Sequence, residues 1–183
     1  MAIVFHKESR CFHLYNNEVS YIIRIMENEQ LEQLYYGKRI HDREDFTYLH
    51  EECMRSQMSI NVPEPGILSM QYTKQEFPTY GTGDYRSPAL TIAQENGSRI
   101  VNFTYAFHEI YNGKKNILPL PATYVESGDE AQTLEITLHD AVMDTDLILS
   151  YTIYEEYPVI TRNAKVSHNG SEKIVLDKIM SAS

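Results

Sequence analysis

Short runs of alternating apolar and polar residues dominate the chain, and this period of two predicts β-strands rather than helices. In the clearest run, Leu134, Ile136 and Leu138 alternate with Glu135 and Thr137. The other predicted strands are Phe12–Leu14, Tyr21–Met26, Leu31–Tyr36, Leu147–Ile153 and Ile160–Val166. Because the first three of these follow one another closely, they indicate a meander. Together, the pattern is typical of antiparallel sheets packed face to face.

Three Asn-Gly pairs predict tight turns, because Asn and Gly both tolerate the positive φ that such turns require. They lie at Asn96–Gly97, Asn112–Gly113 and Asn169–Gly170, each beside an apolar or β-branched run. A fourth turn is predicted at Asp144–Asp146, between two strands. We therefore predict an all-β fold, an antiparallel β-supersandwich of two packed sheets with little helix, in one domain over residues 1–183.

A charged residue interrupts one of the apolar faces. Arg162 lies on the same side of a predicted strand as Ile160, Ala164 and Val166. Burial of an unpaired charge is costly. Arg162 is therefore expected to have a partner or to lie at a sheet edge.

The segment Ile40–Pro65 departs from the alternating pattern. It is polar, alternates weakly and carries two prolines near its end. A short helix is predicted around Tyr48–Ser56. Loops of this length are uncommon in compact domains and are often functional, so we treat this segment as a candidate functional loop.

Composition limits the classes of partner. The formal net charge is −10, with 26 acidic against 16 basic residues. Nucleic acids and anionic membranes attract positively charged surfaces, so neither is an expected partner. No apolar stretch is long enough for a membrane span or a signal peptide, and the two cysteines Cys11 and Cys53 have no metal-type spacing. These features predict a cytoplasmic protein with free thiols.

Candidate catalytic chemistry is sparse in the sequence. Cys11 and His13 lie on one side of a strand, but two ligands do not make a zinc site, and we interpret both as structural residues. The adjacent pairs Glu51–Glu52 and Glu155–Glu156 point to opposite faces if they are extended, which does not suit a two-carboxylate glycosidase. With no nucleophile, phosphate-loop or metalloprotease motif in the sequence, we expect no catalytic residue, metal or cofactor in this chain.

Tyrosine is unusually frequent, at 14 residues against 6 Phe and no Trp. Tyrosine rings can stack on sugars, so a free-standing carbohydrate-binding module is one interpretation. The other is that the rings pack in the core or against a neighbouring domain, and the lack of Trp favours it.

The stretch FPTYGTGDYRSPA, residues 77–89, concentrates two glycines, two prolines and an Asp-x-Arg pair. If the backbone is extended, Asp84 and Arg86 project on one side. Two interpretations stand side by side. Arg86 and Asp84 could hold a planar acceptor or sugar hydroxyls, or they could form an ion pair that locks the turn.

Seven phrases along the chain are recognisable as a set: FHLYNNEVSYIIRI, LYYGKRI, QEFPTYGTGDYRSPA, NGSRIVNFTYAFHEIYNGK, LPATYVE, TLEITLHD and YPVITRNAKVSHNG. In order and spacing they resemble the N-terminal β-sandwich domain of bacterial glycoside hydrolase family 36 α-galactosidases. The resemblance extends from about Phe12 to the end of the chain. The terminal strand pattern KIVLDKIMSAS ends without a cap or polar tail, which fits a domain cut from a longer enzyme.

The resemblance implies a function for the complete enzyme. In the family, a (β/α)8 barrel follows the sandwich and carries an aspartate nucleophile and an aspartate acid/base for a retaining mechanism without a cofactor. The implied reaction is hydrolysis of terminal α-galactosyl residues of melibiose and raffinose-type sugars. No barrel residue is present here, so the fragment is expected to be inactive alone.

The resemblance also implies a position for the candidate loop. In tetrameric relatives, sandwich loops reach the active-site mouth of a neighbouring subunit, and an aspartate lies in the loop that corresponds to Ile40–Gly66. The nearest match here is His50, with Asp45 and Glu51 as acidic alternatives. The substrate-rim or interface candidates are therefore Tyr80, Asp84, Arg86, His50 and Asp45.

Overall fold

The computed structural model of the chain describes residues 1–51, 61–62, 68–70, 73–82 and 87–180. Within these ranges the chain forms twelve strands and one short 3₁₀ helix, η1, at Thr47–Leu49. The strands are β1 (Ala2–His6), β2 (Cys11–Tyr15), β3 (Val19–Ile25), β4 (Leu31–Lys38), β5 (Asn61–Val62), β6 (Leu68–Ser69), β7 (Leu90–Gln94), β8 (Thr104–Asn112), β9 (Ala131–Asp140), β10 (Thr145–Tyr154), β11 (Ile160–His168) and β12 (Ile174–Ile179).

Two four-stranded antiparallel sheets form the body of the molecule. The first sheet has the order β1-β2-β3-β4 and the second has the order β11-β10-β9-β8. Two small pairs, β12-β7 and β5-β6, complete the described strands. The predicted all-β sandwich is confirmed, as is the meander near the N-terminus, which gains β1 as a strand that the alternation did not predict.

The core lies between the inner faces of the two large sheets. Phe12 and Ile23 of the first sheet belong to one buried cluster with Leu134, Ile136 and Leu149 of the second. Each of these large apolar side chains contributes about 1.5–3 kcal/mol when fully buried. Alternation along each strand directs these side chains to the same layer, and the packing of the two layers fixes the sandwich.

The first sheet is covered on its outer face as well. Every residue of β3 is buried, which an exposed outer face would not permit. A second apolar cluster on that side contains Cys11, Ile22, Leu34 and Phe46. Phe46 comes from the connection after β4, so this connection covers the first sheet.

The turn predictions have mixed outcomes. Gly97 and Gly113 take positive φ values of 85° and 80°, as the Asn-Gly pairs predict. Asn169–Gly170 instead makes a bend that leads from β11 into a strand of another sheet. A Cβ at Gly170 would lie 2.5 Å from the Met143 carbonyl oxygen, so close approach requires this glycine. The turn predicted at Asp144–Asp146 lies at residues 141–144, because Thr145 already begins β10.

Only the start of the predicted helix around Tyr48–Ser56 lies within the described residues. The structure has the 3₁₀ turn η1 at its start, and residues 52–60 lie outside the described residues. Cys53 is among them. Cys11 is a free, buried thiol, and His13 beside it is buried too, which agrees with their interpretation as structural residues.

Arg162 has the partner that its position on an apolar face requires. Its Nη2 lies 2.5 Å from Oε1 of Glu76, a fully buried carboxylate. The hydroxyls of Tyr21 and Tyr151 donate to the same carboxylate at 2.6 and 2.8 Å. The first sheet, the second sheet and the segment at Glu76 are therefore joined by one polar cluster inside the molecule.

Burial and charge act in opposite directions within this cluster. Burial raises the pKa of Glu76, while Arg162 and the two tyrosine hydroxyls oppose the rise. For Arg162, burial is the largest cause and lowers the pKa of the guanidinium, but Glu76, Tyr151 and Tyr21 together outweigh it and the pKa is raised. Such a pair stabilises the fold only while both partners are present.

Arg162→Leu is predicted to lower the free energy of unfolding by about 3–5 kcal/mol, because it leaves a buried carboxylate without its cation. Urea unfolding of the chain, followed by circular dichroism, measures this loss. The matched control is Arg99→Leu, since Arg99 pairs with Asp177 at 3.0 Å on the surface. The free energy of unfolding of the control is expected to stay within about 1 kcal/mol of that of the unsubstituted chain. Equal losses in the two variants would contradict a special role for the buried pair.

Candidate functional site

The connection after β4 folds back over the outer face of the first sheet. We call residues 39–51 the cover loop. Its start is held by backbone groups: the Arg39 N–H donates to the Glu18 carbonyl at 2.8 Å and the Ile40 N–H donates to Ser20 Oγ at 3.0 Å. Its middle is held by the side chain of Phe46, which is fully buried. The apolar ring and these bonds fix the path of the loop.

Asp42 of the cover loop lies between two histidines of the first sheet. Its Oδ1 is 2.9 Å from His6 Nε2 and 2.7 Å from His13 Nδ1. The other nitrogen of His13, Nε2, lies 3.0 Å from Ser20 Oγ. Because a carboxylate only accepts, His13 Nδ1 carries a proton, and Nε2 of the neutral ring accepts from the Ser20 hydroxyl. A continuous hydrogen-bond chain therefore runs from Ile40 through Ser20 and His13 to Asp42.

The surroundings of this chain favour a neutral His13 and a charged Asp42. Burial, with smaller contributions from Arg39 and His6, lowers the pKa of His13 against the opposing effect of Asp42. Partial burial is the largest cause for Asp42 and would raise its pKa, but the hydrogen bonds and charges of His13 and His6 together outweigh it and lower the pKa. At neutral pH the carboxylate is an acceptor for two imidazole N–H groups.

His50 ends η1 and is held by a second carboxylate. Its Nδ1 lies 2.5 Å from Oε1 of the buried Glu32 in β4, and its backbone N–H donates to the Thr47 carbonyl at 3.0 Å. The other oxygen of Glu32 lies 2.8 Å from Arg24 Nη2 in β3. His50 is therefore fixed by its ring as well as by its backbone, and about a fifth of its side chain is exposed, at 19%.

Asp45 has a local role in the turn that begins η1. Its Oδ1 accepts from the Thr47 N–H at 2.7 Å and its Oδ2 accepts from the Thr47 hydroxyl at 2.9 Å. These bonds lower the pKa of Asp45, with the backbone bond as the larger cause. Asp45 and His50 are five residues apart on one exposed turn, and both are oriented by hydrogen bonds.

The segment at residues 73–82 runs beside the cover loop. The Gln33 N–H donates to the Lys74 carbonyl at 2.7 Å, and Lys74 Nζ lies 2.5 Å from Glu51 Oε1. Farther along, the Tyr80 N–H donates to the Leu90 carbonyl at 3.2 Å. The structure thus brings the segment that leads to Tyr80 against the loop that carries His50.

Gly81 explains part of the residue choice in this segment. Its φ is +96°, a region that side chains rarely adopt, and a Cβ there would lie 2.9 Å from Ile100 Cγ2. Asp84 and Arg86 lie outside the described residues, at 83–86. Both interpretations of that pair therefore stay open.

Across residues 1–51 and the later described ranges, no group of three or more His, Cys, Asp or Glu side chains is arranged to hold a metal ion. Within the same residues, no helix has the length and apolar character needed to cross a bilayer. The carboxylates of the site are acceptors that hold the cover loop.

Sequence reasoning missed the residues that anchor the cover loop: His6, His13, Arg24, Glu32 and Asp42. A signal was present in the alternation itself. Polar residues at alternate positions of β2 and β3 lie on the face opposite the core. A polar sheet face normally indicates that this face is exposed to solvent. Only the contact with a loop from farther along the chain shows that this polar face is buried.

Fold and site together define a β-sandwich domain with an ordered loop packed on the outer face of one sheet. Residues 29–183 match the family model described as "Glycosyl hydrolase family 36 N-terminal domain". The chain belongs to this family, and the resemblance inferred from the sequence phrases is confirmed.

Curated relatives and solved structures agree with this assignment. The chain is 36% identical over its whole length to alpha-galactosidase AgaA of Geobacillus stearothermophilus and covers 25% of that protein. It is 32% identical to alpha-galactosidase Mel36A of Lactobacillus acidophilus, with 98% of this chain and 24% of that protein covered. The crystal structure of the GH36 alpha-galactosidase AgaB from G. stearothermophilus matches 99% of this chain and 24% of its own, with a TM-score of 0.89 and 36% identity. The chain thus spans about a quarter of the length of these relatives.

Glu32→Gln is predicted to loosen the end of the cover loop. Hydrogen bonds to a charged group contribute about 1.5–3 kcal/mol, so their weakening predicts roughly tenfold or faster amide exchange at Leu49 and His50. Hydrogen exchange followed by NMR measures this. The matched control is Glu51→Gln, which removes an exposed carboxylate at the end of the same loop and is expected to leave these amides unchanged. Similar exchange rates in the two variants would contradict the prediction that Glu32 holds the end of the cover loop.

Proposed function

We propose that this chain is the N-terminal, non-catalytic domain of an α-galactosidase that hydrolyses terminal α-galactosyl residues of melibiose and raffinose-type sugars. The observation that carries the proposal is the match of the whole chain to about a quarter of proteins named alpha-galactosidases. The catalytic residues of the retaining mechanism lie in a barrel domain of the same longer polypeptide. The enzyme is cytoplasmic, assembles from several copies and uses no cofactor.

The engagement of the buried carboxylates supports a non-catalytic role. Glycosidases need one carboxyl group free to transfer a proton and another free to attack or activate water. Here Glu32 accepts from Arg24 and His50, and Glu76 accepts from two tyrosines and Arg162. Carboxylates bound in this way stabilise the fold.

Exposed apolar residues at the C-terminal strand support contact with the rest of the enzyme. Val175, Leu176 and Ile179 of β12 are 58%, 46% and 42% exposed. Several exposed apolar side chains on one strand are typical of a surface that is covered in the complete protein. In the proposed enzyme, the domain that follows this strand covers it.

The first test separates the domain from the enzyme. The 183-residue chain is expected to be inactive on p-nitrophenyl α-galactoside, whereas the full-length protein hydrolyses it with retention of configuration. Turnover by the chain, after removal of host glycosidases, would contradict the non-catalytic assignment. An inactive full-length protein would contradict the α-galactosidase assignment.

The cover loop and the segment around Tyr80 are proposed to support the rim of the active site and the assembly of the oligomer. The residues proposed for this role are His50, Asp45, Tyr80, Asp84 and Arg86. The fixed ring of His50 and the hydrogen-bonded Asp45 support it, because rigid, partly exposed polar groups bind with little loss of conformational entropy.

Two substitutions test this role in the full-length enzyme. His50→Ala and Arg86→Ala are expected to raise KM for raffinose or to weaken subunit assembly. Arg86→Ala is expected to change the melting temperature of the isolated chain little, on the hypothesis that Arg86 acts at a surface, where ion pairs contribute under about 1 kcal/mol. His50→Ala also removes a bond to the buried Glu32, so a lower melting temperature is expected for that variant. Steady-state kinetics, sedimentation and thermal melting measure the three quantities. A large loss of chain stability with normal kinetics and assembly would make Arg86 part of a structural lock instead.

A free-standing carbohydrate-binding module is the second candidate function. Two exposed rings favour it, since Tyr36 and Tyr48 are 59% and 61% exposed and sugars stack on such rings. Titration of the chain with galactose or raffinose, followed by amide NMR, separates the candidates. Saturable shifts at sub-millimolar sugar support the module, and their absence supports the domain of a larger enzyme.

A further inference from the structure

The cover loop is held on the first sheet by histidines. The chain has seven histidines, and two of them, His6 and His13, meet the single carboxylate of Asp42. A third, His50, meets Glu32 at the other end of the loop. Histidine is the side chain whose ordinary pKa places its change of charge between pH 5 and 8. The attachment of this loop is therefore open to control by pH.

We propose that the cover loop is an acid-released clamp: it lies closed over the first sheet at neutral pH and lifts when His13 takes up a proton beside Asp42. The inference concerns residues 39–51 of the chain itself. It holds whether or not the loop meets a sugar.

The first argument is one of charge. Both histidines contact the same atom, Oδ1 of Asp42, so one carboxylate faces two imidazoles. Arg39 of the loop adds a positive charge that disfavours protonation of His13, and His6 does the same. A protonated His13 and the Arg39 guanidinium are two positive charges beside one carboxylate, and the His13 ring is fully buried, so the excess of positive charge is costly there.

The other groups that face the clamp do not remove this excess. Glu44 of the loop lies 3.6 Å from His6 but is 92% exposed, so water screens it. On the first sheet, His13 is packed against the ring of Tyr15, and β3 contributes the neutral Ser20. Beside these, Cys11 is a buried thiol whose pKa is raised by burial. Farther along, Arg24 is matched by Glu32.

The second argument is the direction of the hydrogen bonds. The neutral ring of His13 accepts from the Ser20 hydroxyl through Nε2, and Ser20 Oγ accepts from the Ile40 N–H. A protonated ring donates from both nitrogens, so the His13–Ser20 bond reverses and the Ser20 hydroxyl hydrogen loses His13 as its acceptor. Because Ser20 is fully buried, protonation leaves a buried donor without this partner at the point where the cover loop begins.

The sign of the pH dependence follows from the pKa of His13. Burial lowers this pKa below the ordinary value of 6.5, so the lifted loop binds the proton more readily than the closed loop. The closed form is then fully stable above pH 6.5 and loses stability as the pH falls below it. Because the pKa of Asp42 is lowered as well, this carboxylate stays charged through that window and its own protonation acts only at more acidic pH.

A natural reporter lies beneath the loop. Cys11 is fully buried and packs with Phe46 of the cover loop, so its thiol becomes accessible only when the loop lifts. Labelling of Cys11 by 4,4′-dithiodipyridine, a reagent that works in acid, measures this opening in a chain with Cys53→Ser. Rates are divided by those of the urea-unfolded chain at the same pH, which corrects for the ionisation of the thiol.

The corrected rate is expected to rise about tenfold between pH 7 and pH 5, since the loss of one hydrogen bond from the anchor changes an equilibrium by up to about a factor of ten. Amides of β10, followed by hydrogen exchange, are expected to keep their protection in the same range. A flat corrected rate would overturn the proposal, and so would a loss of β10 protection together with the loop, because that is global unfolding.

Matched variants assign the effect to the clamp. His13→Asn keeps a donor near the position of Nδ1 but cannot titrate, so it is expected to flatten the pH dependence. The control is His139→Asn, because His139 makes the same kind of Nδ1 contact with Asp146, at 2.8 Å, on the second sheet. The control is expected to keep the tenfold rise, and equal behaviour of the two variants would overturn the assignment.

Two further measurements serve if His13→Asn does not fold. Asp42→Asn is expected to raise labelling at pH 7 to the level of the unsubstituted chain at pH 5. In that unsubstituted chain, the NMR titration of the His13 ring is expected to share its midpoint, below pH 6.5, with the shifts of the cover-loop amides. Separate midpoints, or an Asp42→Asn chain that remains closed, would overturn the clamp.

Discussion

The first sheet is buried on both faces, and much of the remaining structure follows from this constraint. Its inner face is apolar and packs on the second sheet, as in other sandwiches. Its outer face carries histidine, serine, arginine and glutamate side chains, and buried polar groups need hydrogen-bond partners. The cover loop supplies them through Asp42, His50 and the backbone of Ile40. The position of the candidate site is thus a consequence of how the sheet is covered.

Strand periodicity made much of the fold predictable from the sequence. Alternation in segments such as Leu134–Leu138 identifies a strand whether or not its partners are known. The same reasoning predicted that Arg162 needs a partner. It could not name Glu76, because that contact joins residues 86 positions apart and depends on how the sheets pack.

The candidate site was less predictable, for a related physical reason. The sequence phrases indicated a loop with a role, and His50 and Asp45 do lie on one ordered turn. Their anchors were not predicted, since a polar strand face looks the same in sequence whether water or a loop covers it. The strand β1 was missed because its run, AIVFH, is short and alternates weakly.

The pairing of β7 with β12 has a consequence for the order in which the chain acquires its structure. Gln94 of β7 pairs with Ile174 of β12, so β7 has no pairing partner until the ribosome has synthesised residues much later in the chain. The second sheet, with its neighbouring strands joined in sequence, can form before that partner emerges. Until then the edge of β7 presents unpaired backbone groups, which are prone to associate with other chains. If translation stalls before residue 174, the domain therefore remains in the state in which it is most exposed to aggregation and most dependent on chaperones.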